Sequence, residues 1–146
     1  MPDSFSPEIK VVNAFRKYLE SGEWDIIQLV CSGGQAHFSV SYKHDGKNKT
    51  VFPDVVAIKE NVILIGEIKE NFSLDDQNKL LEMQASALVD KRLKKNLSLR
   101  RSVPECLLSV EYVLIHSNKN NMFPSKIKQI ICTDNSYIVR LPNEEN

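Results

Sequence analysis

The residues whose types and spacing could do chemistry are Asp54, Glu67 and Lys69, set inside the stretch VFPDVVAIKENVILIGEIKE at 51–70. Its apolar, largely β-branched residues read as two buried strands. Charge inside a buried strand is costly unless it is paired or bound to a metal. Glu67 and Lys69 are two residues apart and share one face of their strand, with Ile68 on the other. Folding the preceding strand back over a two-residue loop at Glu60-Asn61 pairs Lys59 with Val62. A four-residue loop keeps that register, and in either case Asp54 falls opposite Glu67. A three-residue loop would set Asp54 against Gly66, on the wrong face. Facing carboxylates with Cβ atoms about 4.5–5.5 Å apart repel each other, and burial penalises both. A divalent cation relieves both problems. Mg²⁺ takes one or two carboxylates, keeps several waters and reaches phosphate oxygens, and Mn²⁺ suits the same oxygen donors. Such an ion can generate hydroxide and stabilise charge on a phosphate. Lys69 beside it would orient or help deprotonate the attacking water, or neutralise charge developing at phosphorus. The competing reading is a structural Glu67–Lys69 pair at a sheet end, next to an unrelated turn aspartate.

Several elements must position these three residues. SPEIKVVNAFRKYLESG opens with a helix: Ser6 caps it, Pro7 suits its first position, Glu8 favours its first turn, and Gly22 ends it. Val11, Val12, Phe15, Tyr18 and Leu19 follow helical spacing. WDIIQLVCS reads as a strand. HFSVSY alternates, with Phe38, Val40 and Tyr42 on one side, and HDGK signals a tight hairpin. TVFPDVVAI and VILIGEIK each read as one strand, apolar on both faces. SLDDQNKLLEMQASALVDKRLKK reads as one long second helix, with Ser73 and Asp76 as a variant capping box. Leu74, Leu81 and Leu88 form its stripe, which also takes in Gln77 and Gln84, an odd choice for a core face. Past a break at Pro104, CLLSVEYVLIHS is a further buried strand and KNNMFPSK a loop. KQIICTDNSYIVRL is a hairpin turning at 134–136, and the tail PNEEN frays. The order predicts one α+β or mixed α/β domain over 1–146, a mixed central sheet flanked by helices.

Pro53-Asp54, twelve intervening residues, then Glu67-Ile68-Lys69 resembles the motif of the PD-(D/E)XK nuclease superfamily, the restriction-endonuclease-like enzymes whose relatives include Holliday-junction resolvases and repair nucleases. The resemblance spans about 6–117 in the order α-β-β-β-α-β, leaving the hairpin at about 128–141 outside that core. It implies a restriction-endonuclease-like fold, with Asp54 and Glu67 as metal ligands and Lys69 assisting the water. Many members add a glutamate from the first helix, and Glu8 matches it in position; a residue answering only to the helix dipole is the alternative. Some add a Gln or Lys from the helix after the motif, which points to Gln77 and, less well, to Lys79. Gln77 could equally hydrogen-bond a loop backbone. The segment HFSVSYKHDGKNK adds a hairpin arm that the family core does not require; it either contacts substrate or extends the sheet.

The chain carries nineteen basic and nineteen acidic residues, with 42% hydrophobic and 26% charged, the composition of a globular domain. Zero net charge excludes a nonspecific polycation, so any nucleic-acid affinity must come from a local patch. KRLKKNLSLRR, at 91–101, holds six positive charges and no acid. Lys94, Lys95, Arg100 and Arg101 there, with Lys47 and Lys49 in the arm, are the candidate phosphate contacts; a solvated helix end explains them equally. Cys31, Cys106 and Cys132 read as buried reduced thiols. His37, His44 and His116 are scattered and read as having no metal role. The N-terminus has no apolar signal core, and no run approaches the roughly 20 apolar residues of a membrane span, so the expectation is a soluble, cytoplasmic protein. The function expected is a Mg²⁺-dependent nuclease, foremost a DNA endonuclease, as a homodimer if both strands are cut or within a larger complex. The alternative is a nuclease-fold subunit that binds protein or nucleic acid without catalysis. Substrate form, DNA against RNA, and restriction, recombination, repair or mobile-element roles stay open.

Overall fold

The computed structural model describes residues 7–31, 36–117, 124–133 and 136–142. In chain order the elements are α1 (Pro7–Ser21), β1 (Asp25–Leu29), β2 (Val40–His44), β3 (Lys47–Val51), β4 (Val55–Lys59), β5 (Val62–Ile68), α2 (Leu74–Ala85) and α3 (Ala87–Arg101). A 3-10 turn (Glu105–Leu107) then leads to β6 (Ser109–His116), β7 (Lys128–Cys132) and β8 (Tyr137–Arg140). The doubly apolar β4 and β5 lie inside a six-stranded mixed sheet ordered β1-β4-β5-β6-β7-β8, as strands buried on both faces must. β5, β6 and β7 run parallel, and the remaining neighbours are antiparallel. The C-terminal hairpin is therefore integral to the sheet.

Period-2 alternation divides the core into two layers. Val55, Ala57, Leu64 and Ile68 pack with Val11, Val12, Phe15 and Leu19 of α1. Val56, Ile58, Ile63 and Ile65 pack on the other face with Leu80 and Met83 of α2 and Val89, Leu93 and Leu97 of α3. The result is an α/β/α layering, with α1 alone on one side. Gly66 lets β6 approach closely: a Cβ there would meet Ile115 Cδ1 at 2.7 Å and Val113 Cγ1 at 2.9 Å.

Four expectations are corrected. TVFPDVVAI is not one strand. It breaks at Phe52-Pro53-Asp54, because Pro53 cannot donate to a ladder, and β3 pairs only with β2 in a separate two-stranded sheet. The 73–95 helix is two helices. Ser86 stands extended (φ −90°, ψ 113°), closes α2 and caps α3 by accepting from Val89 N at 3.2 Å. The Leu74–Leu81–Leu88 stripe consequently has no common face: Leu74 is 59% and Leu88 38% exposed, and Leu80, Met83, Val89, Leu93 and Leu97 fill the core instead. Cys132 is buried, but Cys106 is exposed on the 3-10 turn and Cys31 half-buried; all three are free thiols.

Ser6, most of the 119–126 loop, most of the 134–136 turn and most of the tail lie outside the described residues. The arm is the hairpin expected, turning at Asp45-Gly46 with φ of 52° and 77°, and Phe38, Val40 and Tyr42 are buried together. Among the described residues no helix is long and apolar enough to cross a membrane.

Candidate active site

The hairpin between β4 and β5 has the register that the spacing requires. Lys59 pairs with Val62 and Val55 with Gly66, so Asp54, one step beyond, stands against Glu67. The loop is the two-residue Glu60-Asn61, with Glu60 left-handed at φ 54°. Both carboxylates point to the face covered by α2. Asp54 N donates to Glu67 Oε2 at 3.1 Å, and Ile68 N donates to Asp54 Oδ2 at 2.9 Å. Glu67 is 4% exposed.

Burial, then the adjacent Glu67 charge, push the Asp54 carboxyl up from 3.8 to about 8, against the opposing pull of the Ile68 amide and the Lys79 charge. Without a metal, Asp54 therefore keeps its proton at neutral pH and hydrogen-bonds the Glu67 carboxylate. The remaining Glu67 oxygen, Oε1, accepts from Lys79 Nζ of α2.

Lys69, just past β5, follows Glu67 on the same face, and its backbone N donates to Ile115 O at 3.0 Å. Its positive charge bears on Asp76. Asp76 N donates to Ser73 Oγ at 3.2 Å, which makes Ser73 the helix cap, as its sequence position suggests. The Asp76 carboxyl does something the capping pattern did not announce. Its Oδ2 is buried with no hydrogen-bond partner. Burial and the Glu67 charge raise its pKa, while Lys69 and Lys79 pull it down. Asp76 and Lys79 sit three apart on the helix face turned toward Glu67; that spacing, beside a charged strand, was the available signal.

Gln77 is buried, and its Oε1 accepts from Lys126 N at 3.1 Å, tying α2 to the segment ahead of β7. Glu8 lies in the first turn of α1, on the helix that covers the opposite face. A second residue escaped notice in the sequence. Gln28 is a polar side chain in the apolar run DIIQLV, and it is buried. It donates to Pro53 O at 2.6 Å and Phe38 O at 3.2 Å and accepts from His37 N and Phe38 N at 2.8 and 2.7 Å. With Val30 N on Asp54 O at 2.9 Å, it pins the backbone on both sides of the break that presents Asp54.

The candidate phosphate contacts are scattered. Lys49 is bound to Glu82 at 2.9 Å, in a cluster where Glu82 also takes Tyr42 OH and His44 Nε2, fastening the arm to α2. Lys94 pairs with Asp90 at 2.9 Å and Arg101 with Asp25 at 2.5 Å. Lys47 is exposed at the arm's turn. Lys95 is exposed on α3, as is Arg100, whose guanidinium stands 5.6 Å over the Phe38 ring. His116 is buried against Gln129 at 2.7 Å.

Asp54 and Glu67 together offer carboxylate oxygens to one hard cation. Among the described residues no three His, Cys, Asp or Glu side chains gather as a metal-binding group; a cation held by Asp54 and Glu67 would have two carboxylates from this chain and take its remaining donors from water, a set that suits Mg²⁺. The Lys79 ammonium on Glu67 is already a cation held at that spot. No family model, curated protein or solved structure matches this chain.

Proposed function

We propose that this protein is a metal-dependent nuclease, a phosphodiester hydrolase acting on DNA with a PD-(D/E)XK arrangement on a restriction-endonuclease-like core. The observation that carries the reading is the meeting of Asp54 and Glu67 across adjacent strands, crowded enough that Asp54 retains a proton. Nothing in the apolar packing of β4 and β5 requires two carboxyls there. Asp54 and Glu67 would hold Mg²⁺ or Mn²⁺, which when bound lowers the pKa of water and offsets phosphate charge.

The chain's own groups do the rest. To hold that cation, Asp54 would release its proton to solvent. Lys79 lets go of Glu67 Oε1 and turns its ammonium toward the phosphate. Lys69, on the same face, orients the attacking water or takes its proton. Gln28 keeps Pro53 and Asp54 in place. Glu8 and Gln77 belong to the support of the site: α1 backs the sheet, and Gln77 locks α2, which carries Asp76 and Lys79.

The test is purified protein incubated with linear, circular and branched DNA under Mg²⁺, Mn²⁺ or chelator, alongside Asp54→Asn and Glu67→Gln. The reading expects cleavage with metal, none with chelator, and loss of at least about 10²-fold in each variant, the scale of a lost electrostatic catalytic group. Cleavage that survives both variants, or no cleavage of any substrate by the wild type, contradicts it.

One observation favours the second reading, a binding subunit without catalysis. The Lys79–Glu67 ion pair is the form a purely structural carboxylate takes. In that case Mg²⁺ has no effect on the stability of the protein.

A further inference from the structure

Six cations lie on α3, and five of them, all but Lys91, divide by partner. Lys94 and Arg101 are neutralised by Asp90 and Asp25. Arg92, Lys95 and Arg100 meet no carboxylate among the described residues. Arg92 Nη1 donates to the carbonyl of Ser41, Arg100 Nε donates to Asn96 Oδ1 at 2.7 Å, and all three side chains are exposed. Arg92 and Lys95 line a groove of about 400 Å³ between α3 and β2, with Ser39, Ser41 and Asn96 as neutral donors on its walls. Phe38 lines that groove and also a second, smaller hollow with Arg100, Gln28 and His37.

The second hollow reaches Val30, whose N–H holds the Asp54 carbonyl. The two hollows adjoin at Phe38 as a track lined by Arg92, Lys95 and Arg100, none of which meets a carboxylate among the described residues, with Val30 on its far wall. Phe52 stands one step beyond the Val40–Val51 pair, opposite Ser39, with half its surface exposed.

Resting on the nuclease reading, we propose that this track holds the sugar–phosphate backbone of a single nucleic-acid strand beside the cleaved position. Lys95, Arg100 and Arg92 are its phosphate contacts, and Phe52 is the ring on which an unpaired base stacks. A lone run of cations on a helix would be a solvated face. Here the cations meet no carboxylate among the described residues, line concavities with hydroxyl and amide donors, and reach as far as Val30, whose N–H holds the Asp54 carbonyl. Phosphates spaced along a strand match that row of charges, and an exposed aromatic ring serves any base.

The test uses the full chain and a fluorescent twelve-nucleotide single strand, with its duplex in parallel, in Ca²⁺ at a series of salt concentrations. Lys95→Gln/Arg100→Gln is compared with Arg16→Gln/Lys17→Gln on α1, which removes the same charge from the opposite face. The track predicts that the first variant weakens single-strand binding and reduces the salt slope by about 1.4, two phosphate contacts at roughly 0.7 each. The α1 variant should bind as wild type, and Phe52→Ala should weaken the single strand about tenfold and the duplex less. Equal effects of both double variants, or none from Lys95→Gln/Arg100→Gln, would overturn the track, as would poly-glutamate binding where the oligonucleotide does not. Cleavage is scored separately. Wild-type cleavage with track variants that bind normally removes the track and leaves the nuclease. Oligonucleotide binding through the track with no cleavage removes the nuclease and keeps the track.

Discussion

Asp54 and Glu67 can each be replaced by an amide without losing a backbone hydrogen bond, since the Asn and Gln carbonyl oxygens can still accept from Ile68 N and Asp54 N. The amide variants therefore isolate charge from shape. An unfolded aspartate releases its proton near 3.8, whereas Asp54 in the fold holds its proton to about 8. A group raised on folding stabilises fully below its unfolded value and loses that contribution as pH rises through its folded value. In chelator, the wild type should therefore lose stability relative to Asp54→Asn between pH 4 and pH 8, measured by urea unfolding at each pH. The comparison cancels other titrating groups, buried His116 among them. A parallel pair of curves would mean that Asp54 is not crowded. Lys79 provides the complementary test. Lys79→Met leaves Glu67 buried without its cation, and should destabilise the chelator-treated protein by about 1–3 kcal/mol. It should also enlarge the thermal shift produced by Mg²⁺, because no ammonium competes for Glu67. A smaller shift than wild type would make Lys79 a partner of the metal site rather than its placeholder.

At the scale of elements, the β4–β5 hairpin was legible because period 2 and loop length together leave few registers, and only one puts two carboxylates face to face. The long second helix was misread because its break depends on a single side chain. Ser86 looks ordinary within an apolar-periodic run, and only its extended backbone and its bond to Val89 N reveal a cap. The β3–β4 break was written in Pro53, but the apolar residues around it masked the signal. Gln28 was illegible because it passes as a strand polar residue and acts on Phe38 and Pro53, far off in sequence, while the capping-box reading of Asp76 hid the signal in its spacing from Lys79. Gly66 is the element-scale control on the site. Its Cβ contacts with β6 fall at 2.7 and 2.9 Å, so Gly66→Ala should cost about 1–3 kcal/mol by overpacking and displace Glu67. Denaturant unfolding checks the first and cleavage the second; an unchanged midpoint would show that β6 yields freely.

For the whole molecule, the order of elements matters more than any one of them. A lone helix covers one face, and a broken helix pair covers the other. The carboxylates lie on the second face, where α2 brings Asp76 and Lys79 over β5 and α3 packs on the same side of the sheet. The basic segment and the acidic site share that face, which composition alone, at zero net charge, could not foretell. The C-terminal hairpin, set outside the expected core, extends the parallel part of the sheet through β7, a pairing between segments too distant in sequence for local patterns to encode. The claim on which the account rests is that Asp54 and Glu67 together hold one divalent cation. Titration of Mn²⁺ into chelator-stripped protein, with free Mn²⁺ followed by electron paramagnetic resonance, tests it without reference to any substrate. The account predicts one bound ion per chain in the wild type, and its loss in both Asp54→Asn and Glu67→Gln. A wild type that binds no ion, or amide variants that bind it as the wild type does, would contradict it.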